Sequence, residues 1–124
     1  MKRNIQTAEY YKSYLMSIYQ CKVPFELLVI DKKPKTKMGV YIHNKTGIHR
    51  IRIYAKWRDV CPLEEIAVHE YAHHIHETEK GGIHGRGKSK SHGEIFWRIY
   101  SALMSEAIKK GLYNDLLISN IITF

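Results

Sequence analysis

The chain has 124 residues, of which 44% are hydrophobic, and its 20 basic and 12 acidic residues give a formal net charge of +8. This length supports one domain with one core, so residues 1–124 are treated as a single domain. The chain lacks the run of about 18 apolar residues that a transmembrane helix needs. It also lacks the continuous N-terminal apolar stretch of a signal peptide, so we expect a cytoplasmic protein. Cys21 and Cys61 lie far apart, which argues against a disulfide framework or a cysteine zinc ribbon and favours two small buried side chains.

Apolar residues recur at helical spacing near the N-terminus. Tyr11, Tyr14 and Ile18 belong to a pattern that predicts an amphipathic helix from about Thr7 to Gln20. The apolar stretch FELLVI follows and predicts a short buried strand. A loop with four lysines comes next.

Two alternating segments flank the turn signal at residues 44–47. Val40 and Ile42 alternate with other residues before this turn, and Ile51 and Ile53 alternate with arginines after it. This pattern predicts a β-hairpin.

Two further helices are predicted in the C-terminal half. The first extends from Leu63, after a proline suited to a first helical turn, to about Glu77. The second extends from Ile95 to about Lys110 and ends at a glycine. The Gly-, Lys- and Ser-rich segment between them is predicted to be a mobile loop, and the apolar tail LLISNIITF is a last helix or strand. The predicted fold class is α+β.

The first of these two helices carries the sequence HEYAHH. His69 and His73 stand four residues apart, so their imidazoles project from one face, as two ligands of one zinc ion require. Glu70 is offset around the helix but within reach of a water at such a metal, where it would act as a general base. The pattern therefore combines two metal ligands with a general base.

An ordinary solvated helix face is the alternative explanation of this pattern. Val68 and Ala72 alternate with the polar residues, which predicts that the helix is partly buried. Partly buried imidazoles require polar partners, and a metal ion supplies them. The context therefore favours a metal site.

A catalytic zinc usually has three protein ligands and a water, so a third ligand is needed. The candidates are the histidine and acidic side chains that follow the motif: His76, Glu79, His84, His92 and Glu94. His76 lies about 10 Å along the helix axis from His69, too far to share one ion. Glu79 stands where a metzincin has its third histidine, but the glycine of that motif is absent. The other three stay open; His92 and Glu94 project about 200° apart on a helix, so only one of them faces the metal.

The segments EEIAVHEYAHH and SHGEIFWRIY resemble the SprT-like zinc metallopeptidases and the related WLM-type family. The segments KTKMGVYIH and IHRIRI resemble the lead-in that these families place before the metal helix, so the similarity covers about residues 35–110. In these families a histidine followed by glycine, with Phe-Trp shortly after, supplies the third ligand. The resemblance thus implies His92, which precedes Gly93, Phe96 and Trp97.

The resemblance also implies the fold and the activity. The expected fold is a minigluzincin-like α+β domain with an N-terminal helix, a small antiparallel sheet, the metal helix and a third-ligand helix. One Zn²⁺ per chain would be held by His69, His73 and His92, and Glu70 would be the general base of a metalloendopeptidase that hydrolyses protein substrates. His74 and His76 are expected at the surface or beside the ligands.

Three other functions stay open. The zinc could be structural in a nucleic-acid-binding module, the domain could be an inactive interaction module, or the protease could act on DNA-bound proteins. The expected partners are a protein or peptide substrate and DNA or another nucleic acid. No association with a membrane is expected. Solvated lysines that keep the protein soluble are the alternative explanation of the charge. The basic residues expected to contact nucleic acid lie in the two loops: Lys32, Lys33, Lys35, Lys37, Arg86, Lys88 and Lys90.

Overall fold

The computed structural model of the chain describes residues 5–44, 46–79 and 92–112, and in these ranges it confirms the α+β class. The predicted mobile loop spans residues 79–93, and its residues 80–91 lie outside the described residues, as does the tail after Leu112. The elements, in chain order, are α1 (Ala8–Ile18), β1 (Glu26–Ile30), β2 (Gly39–His43), β3 (His49–Tyr54), a 3-10 helix (Ala55–Asp59), α2 (Leu63–Glu79) and α3 (Glu94–Lys109).

Helix α1 begins after a residue whose side chain satisfies one of the free amides of the first turn. The Thr7 hydroxyl accepts a hydrogen bond from the Tyr10 N–H at 3.1 Å, which caps the helix. Tyr11, Tyr14 and Ile18 lie on the buried side of α1, as the helical spacing predicted.

The sheet is mixed, so the prediction of an antiparallel sheet was wrong for one of its two pairings. The strand order is β1-β3-β2. β2 and β3 form the predicted antiparallel hairpin, but β1 pairs in parallel with β3. The physical reason is that residues 31–38 connect β1 and β2 without placing them side by side, so that a space one strand wide remains between them. The returning strand β3 fills that gap and runs in the same direction as β1.

Helices α1 and α2 pack on the sheet, and α3 packs against α2. Ile51 and Ile53 of the central strand are fully buried in the core beneath α2. Tyr71 of α2 ties this helix to the chain after α1, because its hydroxyl donates to the Tyr19 carbonyl and accepts from the Cys21 N–H. These contacts fix the rotation of α2 about its own axis. In the described ranges, none of the helices combines the length and the apolar composition needed to cross a bilayer.

Candidate metal centre

A buried hydrogen-bonded chain anchors α2 against β2. The His74 imidazole is fully buried, and its Nε2 lies 2.7 Å from the Val23 carbonyl oxygen. Because a carbonyl only accepts, His74 Nε2 carries the proton and Nδ1 accepts from the Tyr41 hydroxyl at 3.1 Å. The Tyr41 oxygen then accepts from His49 Nδ1 at 2.6 Å. His74 is therefore part of the core, because both of its ring nitrogens have protein partners in the interior. The expectation that it could lie at the surface was wrong.

With α2 fixed in this way, the three predicted zinc ligands lie together. His92, which precedes the first residue of α3 by two positions, places its Nε2 3.1 Å from His73 Nε2 and 3.3 Å from His69 Nε2. One ring nitrogen from each histidine lies within 4.8 Å of the other two. Tetrahedral zinc with Zn–N bonds of ~2.0–2.1 Å separates its nitrogen ligands by about 3.4 Å. The observed spacing fits a zinc ion held by His69, His73 and His92.

The start of α3 decides between His92 and Glu94. Glu94 forms an ion pair with Arg98, and both side chains are 75% exposed on the outer side of α3. Phe96 is fully buried under the histidines, and its ring stacks on His73 with 4.3 Å between centroids. The structure thus places His92 beside His69 and His73 and directs Glu94 toward solvent.

Burial disfavours the charged form of two imidazoles in this cluster, His69 and His73. Removal from water, together with the neighbouring His69, His92 and His76, lowers the pKa of His73 to about 3. Burial likewise lowers the pKa of His69, with His92 adding to the shift. A neutral imidazole has a free lone pair, so a metal ion can bind these residues near neutral pH without first displacing a proton.

Glu70 lies beside the histidines in the same cleft, and its side chain is buried. Burial raises the pKa of its carboxyl group to about 8 in the protein without metal. A divalent cation in the cluster would favour the charged carboxylate and lower this pKa again. The proton affinity of Glu70 is therefore raised by its burial in the cleft, and a cation bound beside it would lower that affinity.

A glycine in β2 makes room for Glu70. A Cβ atom at Gly39 would lie 2.9 Å from Ile66 Cγ2, 3.0 Å from Glu70 Cγ and 3.0 Å from the backbone oxygen of Arg52. These distances are shorter than ordinary van der Waals contact, and one of the atoms belongs to the backbone of the central strand. The close approach of β2 to α2 therefore depends on glycine at this position.

We expect Gly39→Ala to lower the free energy of unfolding by about 1–3 kcal/mol, since overpacking forces the strand or the helix to shift. Urea denaturation followed by circular dichroism measures this loss. An unchanged unfolding midpoint in Gly39→Ala would show that β2 and α2 do not approach as closely as described.

The cleft above these residues has a volume of about 620 Å³. One wall is the segment from Thr36 to His43, which includes β2, and the floor is the polar face of α2. Cys61 and Tyr100 lie at one end of the cleft, and His43 and Glu77 line it as well. His76 also lines the cleft, but it does not belong to the cluster of three histidines. Because His76 is buried, the expectation that it could lie at the surface was wrong as well. Such a cleft can hold an extended chain of several residues beside the metal site.

Several residues of this cleft were not predicted as functional. His43 and Glu77 gave no motif signal, because they come from a strand and a helix that are far apart in sequence. Alternation in β2 was the available signal, since it places residues 39, 41 and 43 on the side that faces α2. Cys21 and Cys61 are both half-buried, so the prediction of two buried side chains was wrong. The Cys61 thiol lies in the cleft, with its Sγ 3.1 Å from Glu65 Oε2.

The predicted basic residues divide into two groups. The four lysines between β1 and β2 are exposed, and Lys37 among them lines the cleft. The Lys33 ammonium group lies 4.7 Å from the centre of the Trp57 ring. The second group lies outside the described residues: Arg86, Lys88 and Lys90, together with the alternative ligand His84.

Comparisons of the chain with protein-family models, with curated proteins and with solved structures gave no significant match.

Proposed function

We propose that this protein is a zinc-dependent metallopeptidase, similar to the SprT-like family, that hydrolyses peptide bonds in protein substrates. The observation that carries the proposal is the convergence of three imidazole nitrogens, 3.1 and 3.3 Å apart, beside a buried glutamate in an open cleft. A structural zinc site would fill its coordination sphere with protein ligands, whereas three ligands at a cleft leave one position for water or substrate.

His69, His73 and His92 would hold the ion. Zinc bound there supplies a Lewis acid that polarises the scissile carbonyl and makes water a nucleophile near neutral pH. Glu70 accepts a proton from the attacking water and then donates it to the leaving amine, so that one carboxylate serves both steps. Phe96 packs against the ring of His73 and limits the number of orientations that this ligand can adopt.

The edge of the sheet offers a place for an extended peptide. Tyr54 N–H donates to the Met38 carbonyl, and Asn44 N–H donates to the Ile48 carbonyl. In this register the even-numbered residues of β2 make the backbone hydrogen bonds to β3. In an antiparallel ladder the alternate residues direct their N–H and C=O groups away from that partner. Gly39, Tyr41 and His43 therefore present backbone groups at the edge of β2, above the cleft. A peptide that adds to this edge passes Glu70 and the three histidines.

The test is hydrolysis of a mixed set of unstructured peptides by the purified chain, followed by mass spectrometry. We expect cleavage that a zinc chelator abolishes and added zinc restores. Zinc bound without cleavage of any peptide or protein, in the presence or absence of DNA, would contradict the peptidase proposal and support a structural or interaction role.

A second candidate function is binding of nucleic acid by the loop between β1 and β2. The 3-10 helix brings two more cations, Lys56 and Arg58, next to this loop. The Lys56 N–H donates to the Lys32 carbonyl, and Trp57 Nε1 donates to the Pro34 carbonyl at 3.0 Å. The loop and the 3-10 helix thus form one basic surface, which can contact phosphates and place a nucleic acid near the cleft.

We expect affinity for a single-stranded oligonucleotide to fall with salt, with a slope of about −3.5 on logarithmic axes for about five phosphate contacts. Replacing Lys32, Lys35 and Lys37 by serine should flatten the slope by about 2, at ~0.7 per contact. Fluorescence anisotropy measures both, and Lys12→Ser with Lys22→Ser on the side of α1 is the control. Lack of binding at low salt, or binding that ignores salt, would remove this candidate.

A further inference from the structure

One end of the cleft carries a carboxylate that the hydrolytic step does not use. Glu77 lies one turn of α2 after His73, about 6 Å further along the axis. Its side chain is only 13% exposed, and Oε1 lies 3.2 Å from His43 Nε2 at the end of β2. Glu77 and His43 both line the cleft. The Glu77 carboxyl group therefore lies at the end of the cleft, between the end of β2 and helix α2.

Within residues 5–44, 46–79 and 92–112, the groups that interact electrostatically with Glu77 bring no permanent positive charge. They are Tyr41 and His43 from β2, His49 from β3 and His76 from α2. The imidazoles are charged only when protonated, and the two arginine ion pairs in the described ranges are made with Glu26 and Glu94. The described residues therefore give this end of the cleft an acidic side chain with no fixed cation beside it at about pH 8, where imidazoles are ordinarily neutral.

The register of an added peptide relates Glu77 to the cleaved bond. Antiparallel pairing is the more stable way to extend the edge of β2, so the peptide would run opposite to β2. Its residues before the scissile bond then pass Tyr41 and reach His43. Glu77 follows Glu70 by seven residues, or about 10 Å along α2, which corresponds to about three residues of extended chain.

We propose that Glu77 selects substrates with a lysine or arginine about three residues before the cleaved bond; this inference rests on the peptidase function proposed above. The Glu77 carboxylate accepts hydrogen bonds from the cationic side chain, and the ring of His43 fixes the carboxylate in the cleft. The substrate class is therefore an unfolded basic segment of a protein. A neutral or acidic side chain at the same position leaves the half-buried carboxylate without a cationic partner.

The experiment compares peptides that carry Lys, Gln or Glu at each of the four positions before one cleaved bond, at about pH 8. We expect kcat/KM to be about tenfold higher for Lys than for Gln at the position that Glu77 contacts, as for a charge-assisted hydrogen bond in a partly buried site. Glu77→Gln should bring this ratio to about one, and Glu77→Lys should reverse it in favour of Glu. Glu65→Gln, which changes another carboxylate of the cleft, should retain the preference for Lys. A ratio near one in the unaltered protein, or a ratio that survives in Glu77→Gln, overturns the inference.

Binding separates this inference from the peptidase function. Labelled versions of the same peptides are titrated with zinc-loaded Glu70→Gln protein and with the Glu70→Gln, Glu77→Gln double variant. If Lys peptides bind about tenfold more tightly and only Glu77 is needed for this, the specificity of the cleft stands even where no peptide is cleaved. Equal affinity for the Lys and Gln peptides overturns it, whatever the outcome for hydrolysis.

Discussion

Replacing Glu70 by glutamine is expected to abolish peptide hydrolysis while zinc binding and the fold are retained. The amide has nearly the shape of the carboxyl group, so the packing against Gly39 and Ile66 is preserved. It cannot accept a proton from the attacking water, and loss of a general base typically lowers the rate ~10²–10⁴-fold. Initial rates of peptide cleavage at equal zinc loading measure this effect.

Glu65→Gln is the matched control for this variant. Glu65 lines the same cleft, and it accepts a hydrogen bond from the Cys61 thiol rather than lying beside Gly39. We expect the Glu65 variant to retain far more activity than the Glu70 variant. Equal hydrolysis by the Glu70 variant and the unaltered protein would remove Glu70 from the mechanism.

Removal of any one of the three histidine imidazoles is expected to weaken zinc binding by more than about 100-fold. Even loss of a group that only orients a ligand costs ~10–100-fold in metal affinity, and loss of a ligand costs more. His69→Ala, His73→Ala and His92→Ala should behave alike, because the three ring nitrogens lie together around one point. Competition with a chromophoric chelator measures the dissociation constants.

Glu94→Ala serves as the control for the ligand variants, since Glu94 pairs with Arg98 on the outer side of α3. It should retain the zinc affinity of the unaltered protein. Full zinc retention in His92→Ala, combined with loss in Glu94→Ala or His84→Ala, would show that a different side chain is the third ligand.

The local parts of the fold were predictable from the sequence because periodicity reports directly on burial. The predicted bounds of α3 differ from the observed ones by one residue at each end, and the hairpin turn lies where its signal stands. The parallel pairing of β1 with β3 was not predictable in the same way. It depends on the path of residues 31–38 between β1 and β2, and strand composition carries no information about that path.

The spacing of His69 and His73 predicted two ligands from helix geometry alone. The third ligand needed the resemblance to a known family, because the rotation of α3 relative to α2 is a tertiary property. The buried hydrogen-bond partners of His74 could not be predicted from the sequence either, because Val23 and Tyr41 are distant from it along the chain. A histidine-rich segment therefore contains both residues of the candidate metal site and core residues, and only tertiary packing distinguishes them.

X-ray absorption spectroscopy of the zinc-loaded protein is the most direct test of the proposed metal site. We predict about one zinc per chain, with three imidazole nitrogens and one oxygen at ~2.0–2.1 Å. Cys61 lines the same cleft but does not belong to the histidine cluster, so a sulfur ligand is the alternative that this measurement distinguishes. A sulfur neighbour at ~2.3 Å, or a zinc content well below one per chain, would contradict a site built from His69, His73 and His92.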